Sequence, residues 1–291
     1  MDRENINEIT IPKNYNNYRL DQVISKIIPN LGIRGVKRLI LNGKILYNDK
    51  KVLPHIKVKE GYNVKIVNED QKINEFKVIQ ENDSYIFILK PSGINSSHVI
   101  GGGISVEDNL KIDGEIVQRL DRDTSGILCI AKNLKAKKFF KCEEKKGNCE
   151  KKYIAFLEGV LDEEIVVKRD LDIKNRSKSK ILNSDADKIR HTYFEPLIVF
   201  DDRYSFPFCP FKVTLVGVKI LCGYRHQIRA HAAFLGYPLV NDILYGAKIK
   251  RDIFYLHHAG LYFSNIKCTN LPNWDINYNA LIKIKKFLGL K

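Results

Sequence analysis

The run Gln118-Arg119-Leu120-Asp121-Arg122-Asp123-Thr124-Ser125-Gly126 sets carboxylates, guanidinium groups, hydroxyls and a glycine side by side, just ahead of an apolar stretch. Such residue types do not fill a core. Positive charge beside a carboxylate favours the anion, the form that attacks as a nucleophile or closes a salt bridge. Asp, Thr, Ser and Gly are also the preferred residues of turns, so the segment alone reads first as a loop. A second polar run, Cys222-Gly223-Tyr224-Arg225-His226-Gln227-Ile228-Arg229-Ala230-His231, has helical spacing. His226 and Arg229 would share one face of that helix, and Ala230 and Ala233 would let it pack closely. His226 and His231 are too far apart in phase to ligate one metal from one face, which favours structural histidines. The 6 cysteines (Cys129, Cys142, Cys149, Cys209, Cys222 and Cys268) form no Cys-x-x-Cys pair, so no zinc site is expected.

The elements around these runs are mostly extended. Phe76 to Gln80 and Tyr85 to Leu89 flank an Asn82-Asp83 turn and predict a hairpin. Ile127 to Ala131, Tyr153 to Val160, Glu164 to Val167, Tyr193 to Phe200 and Phe211 to Leu221 read as further strands. Leu134 to Lys146 reads as a basic amphipathic helix closed by Gly147, and His226 to Leu235 as a helix stopped by Gly236 and Pro238. Many non-local strands with few helices between them predict an α+β domain on a mixed, largely antiparallel sheet. Leu171 to Arg190 has no clear signature and reads as a mobile basic loop or an insertion.

Ahead of this domain, residues 18–67 look like a compact unit. Leu20, Val23, Ile24, Ile27 and Ile28 recur at helical spacing before Pro29. A second helix carries Val36, Leu39 and Ile40 on one side and Arg34, Lys37 and Arg38 on another, and short strands with turns follow. Residues 1–17 are left as an extension and the polar stretch 68–75 as a linker, so the larger domain spans 76–291. Lysine and arginine total 49 against 34 acidic residues, a net charge of +15. Compositional bias inflates such a figure, but a field of this sign attracts polyanions. No apolar run is long enough to span a bilayer and the first residues lack a secretory stretch. A cytoplasmic protein without membrane attachment is expected.

Together the two polar runs resemble the RluA-type pseudouridine synthase family over residues 76 to about 265. The carriers are Arg119-Leu120-Asp121-x-x-Thr124-Ser125-Gly126, Lys90-Pro91-Ser92-Gly93, Lys152-Tyr153-Ile154-Ala155, His226-Gln227-Ile228-Arg229-Ala230-His231, Gly236-Tyr237-Pro238, Asp242-Ile243-Leu244-Tyr245-Gly246 and His257-His258-Ala259, in the family's order. Tyr18-Arg19-Leu20-Asp21, the basic second helix and Asn42-Gly43-Lys44 resemble an S4 RNA-binding domain, a frequent companion in that family. Three departures stand out. Gly32-Ile33 replaces the Ser usual at the second helix start, Gln118 stands where His is most often found, and Tyr224-Arg225 replaces Arg-Thr or Lys-Thr.

The resemblance implies an isomerase that turns uridine in structured RNA into pseudouridine, with no cofactor, because no electrons or groups enter or leave. It implies Asp121 as nucleophile, Arg229 as its partner and Tyr153 stacked on a flipped-out base. Arg34, Lys37, Arg38, Lys44, Arg119, Arg122, Arg225 and His226 would contact RNA, with basic residues 132–152 adding phosphate contacts. Large-subunit ribosomal RNA is the favoured partner, with transfer RNA as the alternative, and the chain is expected to act as a monomer. A catalytically degenerate RNA-binding or ribosome-assembly factor is the competing reading. An unrelated enzyme of sugars or phosphates would need a second catalytic carboxylate near Asp121.

Overall fold

A computed structural model describes residues 8–28, 32–41, 43–66, 76–98, 104–110, 112–174, 177–200, 211–248 and 253–291. The chain divides into two compact units, residues 1–74 with 98–109 and residues 75–97 with 110–291.

In the first unit, strand β1 (Glu8–Thr10), helices α1 (Leu20–Ile27) and α2 (Ile33–Leu41), and strands β2 (Ile45–Tyr47) and β3 (Asn63–Ile66) come first, and α3 (Val106–Asn109) comes from the later segment. The strands form an antiparallel sheet in the order β1-β3-β2. Leu20, Val23 and Ile24 of α1 meet Val36 and Ile40 of α2 over Ile45, Val58 and Val64, the apolar stripes that the spacing predicts. Residues 8–11, left in the extension by sequence, join this unit: β1 pairs with β3 and Ile11 is buried in its core. Asp21 is fully buried and accepts from Arg19 Nε at 3.1 Å and Nη2 at 2.9 Å, with Lys37 Nζ at 3.6 Å. Burial works against ionisation of Asp21, but these cations outweigh it and hold the carboxyl below its ordinary value.

The second unit is built on one large sheet. Its elements are β4 (Val78–Glu81), β5 (Tyr85–Lys90), β6 (Glu115–Ile116), β7 (Ser125–Ala131), α4 (Leu134–Lys146), β8 (Cys149–Glu158), β9 (Ile165–Val167), β10 (Arg169–Asp172) and β11 (Lys180–Asp185). There follow β12 (Thr192–Phe200), β13 (Val213–Ile220), α5 (Gln227–Phe234), β14 (Leu256–Phe263), β15 (Ile266–Thr269) and α6 (Tyr278–Leu288). The sheet order is β4-β5-β7-β14-β8-β13-β12-β9, with β15 on β14 and β6 on β7. All these pairs are antiparallel except β7 with β14, so the expected mixed, mostly antiparallel sheet is what forms. Ile284, Phe287 and Leu288 of α6 pack on Ile154, Phe156 and Leu215, while Phe140 of α4 packs among Tyr85, Ile127 and Phe263. Asn133 caps α4, accepting from Ala136 N, and Gly147 ends it in the left-handed region at φ 78°.

The stretch 171–190 contains regular secondary structure. β10 and β11 pair as an antiparallel hairpin, and a short 3₁₀ turn, Lys188–Arg190, leads into β12. No helix among the described residues is long and apolar enough to cross a membrane.

Candidate active site

The Asp121 loop hangs between two strand ends and is held by the turn after β5. Lys90 is fully buried, and its Nζ donates to the carbonyls of Pro91 at 2.8 Å, Ile94 at 2.7 Å and Arg122 at 3.0 Å. Burial lowers its pKa to about 7, with Asp123 and Asp121 pulling the other way. Three acceptors use all three ammonium protons, so the charged form is the one this geometry holds. Ser96 Oγ accepts from Leu120 N at 2.8 Å and donates to Leu120 O at 2.9 Å, Ser92 Oγ donates to Asp123 O at 2.6 Å, and Gly93 N donates to Arg122 O at 2.9 Å. Thr124 N closes the turn on Asp121 O at 3.1 Å. Gly126, the second residue of β7, lies at φ +119°, where a Cβ would collide with the His258 carbonyl oxygen. Only glycine lets β7 approach β14 here.

Helix α5 brings Arg229, and His226 stands at its N-terminal cap. Arg229 Nη1 reaches Asp121 Oδ2 at 3.6 Å and His226 Nε2 reaches the same oxygen at 3.9 Å. Arg229 itself is fixed by Asp242, donating from Nε and Nη2 at 2.7 Å each, and its guanidinium lies 5.1 Å from the Tyr245 ring centre and 5.2 Å from that of Phe254. Burial opposes its charge, but the hydrogen bonds and charge of Asp242, then Asp121, outweigh burial and hold it protonated. His226 Nδ1 lies 3.1 Å from Tyr245 Oη.

Tyr153 comes from β8, opposite His258 of β14. The two rings stack at 4.6 Å with 25° between planes. Burial, and secondarily the Asp121 charge, push the Tyr153 hydroxyl far above a phenol's ordinary value. His258 is fixed in turn, with Nδ1 2.6 Å from Ile127 O, and burial lowers its pKa to about 3. Gln118 is buried beside it and donates to Ile127 O at 3.3 Å. The hairpin β10–β11 braces the other side: Ser179 N donates to Tyr245 Oη at 2.9 Å, Ser179 Oγ donates to Arg225 O at 2.6 Å, and Arg225 Nη2 donates to Ile173 O at 2.9 Å.

The structure thus gathers Asp121, Arg229, His226 and Tyr153. Arg119 and Arg122 are exposed, and Arg122 Nε donates to Gly93 O at 3.1 Å. Arg225 is turned onto the hairpin. In the first unit, Lys37 is half exposed beside Asp21 and Lys44 follows α2; the side chains of Arg34 and Arg38 lie outside the described residues. His231 is structural, with Nδ1 2.7 Å from Thr192 Oγ1 and Nε2 3.1 Å from Arg169 O. Sequence reasoning quoted the segments holding Asp242, Tyr245, Lys90 and His258 but gave these residues no task, because nothing local says which side chain each one meets. Among the described residues no cluster of His, Cys, Asp and Glu could hold a metal. Both Asp242 oxygens are engaged by Arg229, so Asp242 is not the second free carboxylate that a glycosidase-like mechanism requires.

The chain's residues 84–234 match the family model described as RNA pseudouridylate synthase. Ribosomal large subunit pseudouridine synthase C of Buchnera aphidicola subsp. Schizaphis graminum is 31% identical over 265 residues, covering 81% of this chain and 79% of that protein. The protein of the same name from Vibrio cholerae is 26% identical, covering 90% of each chain. Among solved structures, human RNA Pseudouridylate Synthase Domain Containing 1 superposes with a TM-score of 0.59 at 19% identity, covering 75% of this chain and 96% of that one, which is a likeness of fold.

Proposed function

The chain belongs to the RNA pseudouridylate synthase family and is an RNA-modifying isomerase; from that premise we propose that it isomerises uridine in large-subunit ribosomal RNA, with Asp121 as nucleophile. The substrate follows the printed name shared by the Buchnera and Vibrio relatives, ribosomal large subunit pseudouridine synthase C. One observation carries the assignment of roles. Asp121 is the carboxylate on which Arg229 Nη1 and His226 Nε2 converge, on a loop fixed from below by Lys90 and Ser96.

In this reading Asp121 acts at C1′ as the C1′–N1 bond breaks, with the carboxylate either adding to the sugar or assisting elimination. The freed base turns, C5 bonds to C1′, and the C5 proton leaves while N1 gains one, so the atoms balance without a cofactor. Arg229 keeps the carboxylate in place. Tyr153 lays its ring under the base, backed by His258, and its hydroxyl helps take the C5 proton. Flipping the nucleotide out costs a few kcal/mol, offset by phosphate contacts. Residues 18–67 would supply them as an S4-like module using Arg34, Lys37, Arg38 and Lys44, with 68–75 as linker and 76–291 as catalytic domain. Arg119, Arg122 and the 132–152 stretch would add to them in the catalytic domain. The chain would work as a cytoplasmic monomer, where ribosomal RNA is made and folded.

The test is tritium release from RNA labelled at uridine C5, run separately on ribosomal and transfer RNA. Wild type should release tritium from ribosomal RNA and Asp121→Asn should release none while binding RNA as tightly. Tight binding without release by wild type would hand the lead to the RNA-binding factor.

A further inference from the structure

His226 is grouped by sequence with the RNA contacts, yet its surroundings describe a different task. Its ring is fixed from behind. Tyr245, which is 6% exposed, sets its hydroxyl 3.1 Å from His226 Nδ1, with the two rings edge to face at 82°. The backbone of His226 lies in the left-handed region at φ 55°, which L side chains seldom adopt unless their surroundings impose it. Its carbonyl is taken by Ala230 N at 2.8 Å. The free edge of the ring faces Asp121.

The proton positions follow from counting donors. A phenol has one proton and two lone pairs. Ser179 N–H, 2.9 Å away, occupies one lone pair of Tyr245 Oη. The phenolic proton then goes to Ser179 O at 3.2 Å or to His226 Nδ1 at 3.1 Å. If it went to Ser179, Nδ1 would carry the imidazole proton and the bare Nε2 lone pair would face the Asp121 carboxylate, a repulsive contact. If it goes to Nδ1, Nε2 carries its proton toward the carboxylate. Electrostatics selects the second arrangement. The other charged groups about His226 do not compete: Arg229 is bound to Asp242 and Arg225 to Ile173 O.

We propose that His226 is a positioning residue for Asp121: its Nε2–H, aimed by Tyr245 and Ser179, is the second donor to Oδ2 beside Arg229, leaving Oδ1 to meet the ribose. This rests on the reading of Asp121 as nucleophile. The 3.9 Å separation is longer than a formed hydrogen bond, and catalytic hydrogen bonds that are long without substrate tighten when it closes the site. The chain Ser179–Tyr245–His226–Asp121 also links the β10–β11 hairpin to the carboxylate, so the seating of that hairpin bears on the nucleophile's aim.

The direct test is long-range ¹H–¹⁵N correlation on histidine-labelled protein, which reads the tautomer without any turnover. The Nε2–H form is expected at neutral pH, relaxing toward a mixture in Tyr245→Phe. An Nδ1–H form would overturn the proposal while leaving the proposed function intact. Kinetics give the second arm. His226→Phe should lower kcat roughly 10- to 100-fold, the worth of one hydrogen bond to a charged group, with KM and RNA affinity unchanged. His226→Gln, which restores an N–H near the Nε2 position, should recover much of that loss. A raised KM with unchanged kcat would return His226 to the RNA contacts, and equal losses in the Phe and Gln variants would make it merely structural. Wild type without tritium release, in contrast, would count against the proposed function and leave the tautomer result standing.

Discussion

Arg229 gives both of its 2.7 Å hydrogen bonds to Asp242 and meets Asp121 with its remaining nitrogen at 3.6 Å. The tight pair is therefore the support, and the looser contact is the working one. Asp242 is buried at 1% exposure and Arg229 at 8%. Removing one partner of such a pair leaves an uncompensated buried charge, which costs about 3–5 kcal/mol of stability. Asp242→Ala should lower the unfolding free energy by that order and abolish activity at growth temperature. Asp242→Asn keeps the shape and one acceptor. It should fold, with kcat lowered more than RNA affinity. Denaturant titration beside tritium release separates the two effects, and a fully active Asp242→Asn would refute the supporting role.

Acid should destabilise the second unit through its histidines. Burial lowers the pKa of His231 and His257 to about 4 and of His258 to about 3. Each native pKa lies below the unfolded value of about 6.5. As pH falls from there, the unfolded chain binds protons that the native state refuses, so stability present above pH 6.5 is lost as pH drops toward 4 and 3. Each group contributes at most about 1.4 kcal/mol per pH unit. Unfolding free energies at pH 7 and pH 5 should differ by several kcal/mol, and His231→Gln should reduce the difference. A flat profile across that interval would show that these histidines are protonated in the fold.

Local pattern made much of this legible. The helical stripes of α1 and α2, the helix α4 with its Gly147 stop, the hairpin β4–β5 and the sheet class all follow from periodicity and turn chemistry. What the sequence hid is long-range. The hairpin β10–β11 has no apolar alternation, since its strands are largely exposed or half exposed. It is specified instead by Ser179, Arg225 and Tyr245 meeting from three segments. The site behaves likewise: Asp121 and Arg229 stand out as chemistry, but Asp242 and His258 gain their meaning only from partners 13 residues and 131 residues away.

Gly126 shows how tightly the loop is bound to the sheet. At φ +119° any side chain is strained, and the Cβ would meet backbone atoms of His258, which cannot swing aside as a flexible side chain would. Gly126→Ala should part β7 from β14, lower the melting temperature by several degrees and displace Asp121. Gly93→Ala is the control, because its Cβ would meet nothing within 4 Å although its φ of +86° also strains a side chain. The Gly126 variant should lose more stability than the Gly93 variant. Equal losses would mean that conformation alone, and no close approach, requires glycine at 126.

Tyr153 can be separated into a ring and a hydroxyl. The ring stacks on His258 at 4.6 Å, so Tyr153→Phe keeps the surface offered to a base, and RNA affinity should stay near wild type. The hydroxyl is held protonated by burial and by the Asp121 charge, so no phenolate accumulates through neutral and mildly alkaline pH. Activity should not climb toward pH 10 on account of this group. Its part in catalysis is then that of a relay, the neutral hydroxyl taking the C5 proton as it hands its own to water, a role whose loss costs roughly 10²–10⁴-fold in rate. Tyr153→Phe should show that loss in kcat together with a larger isotope effect for deuterium at uridine C5, because leaving C5 becomes the slow step. An unchanged kcat and isotope effect would reduce Tyr153 to a stacking platform and move removal of the C5 proton to another group or to water.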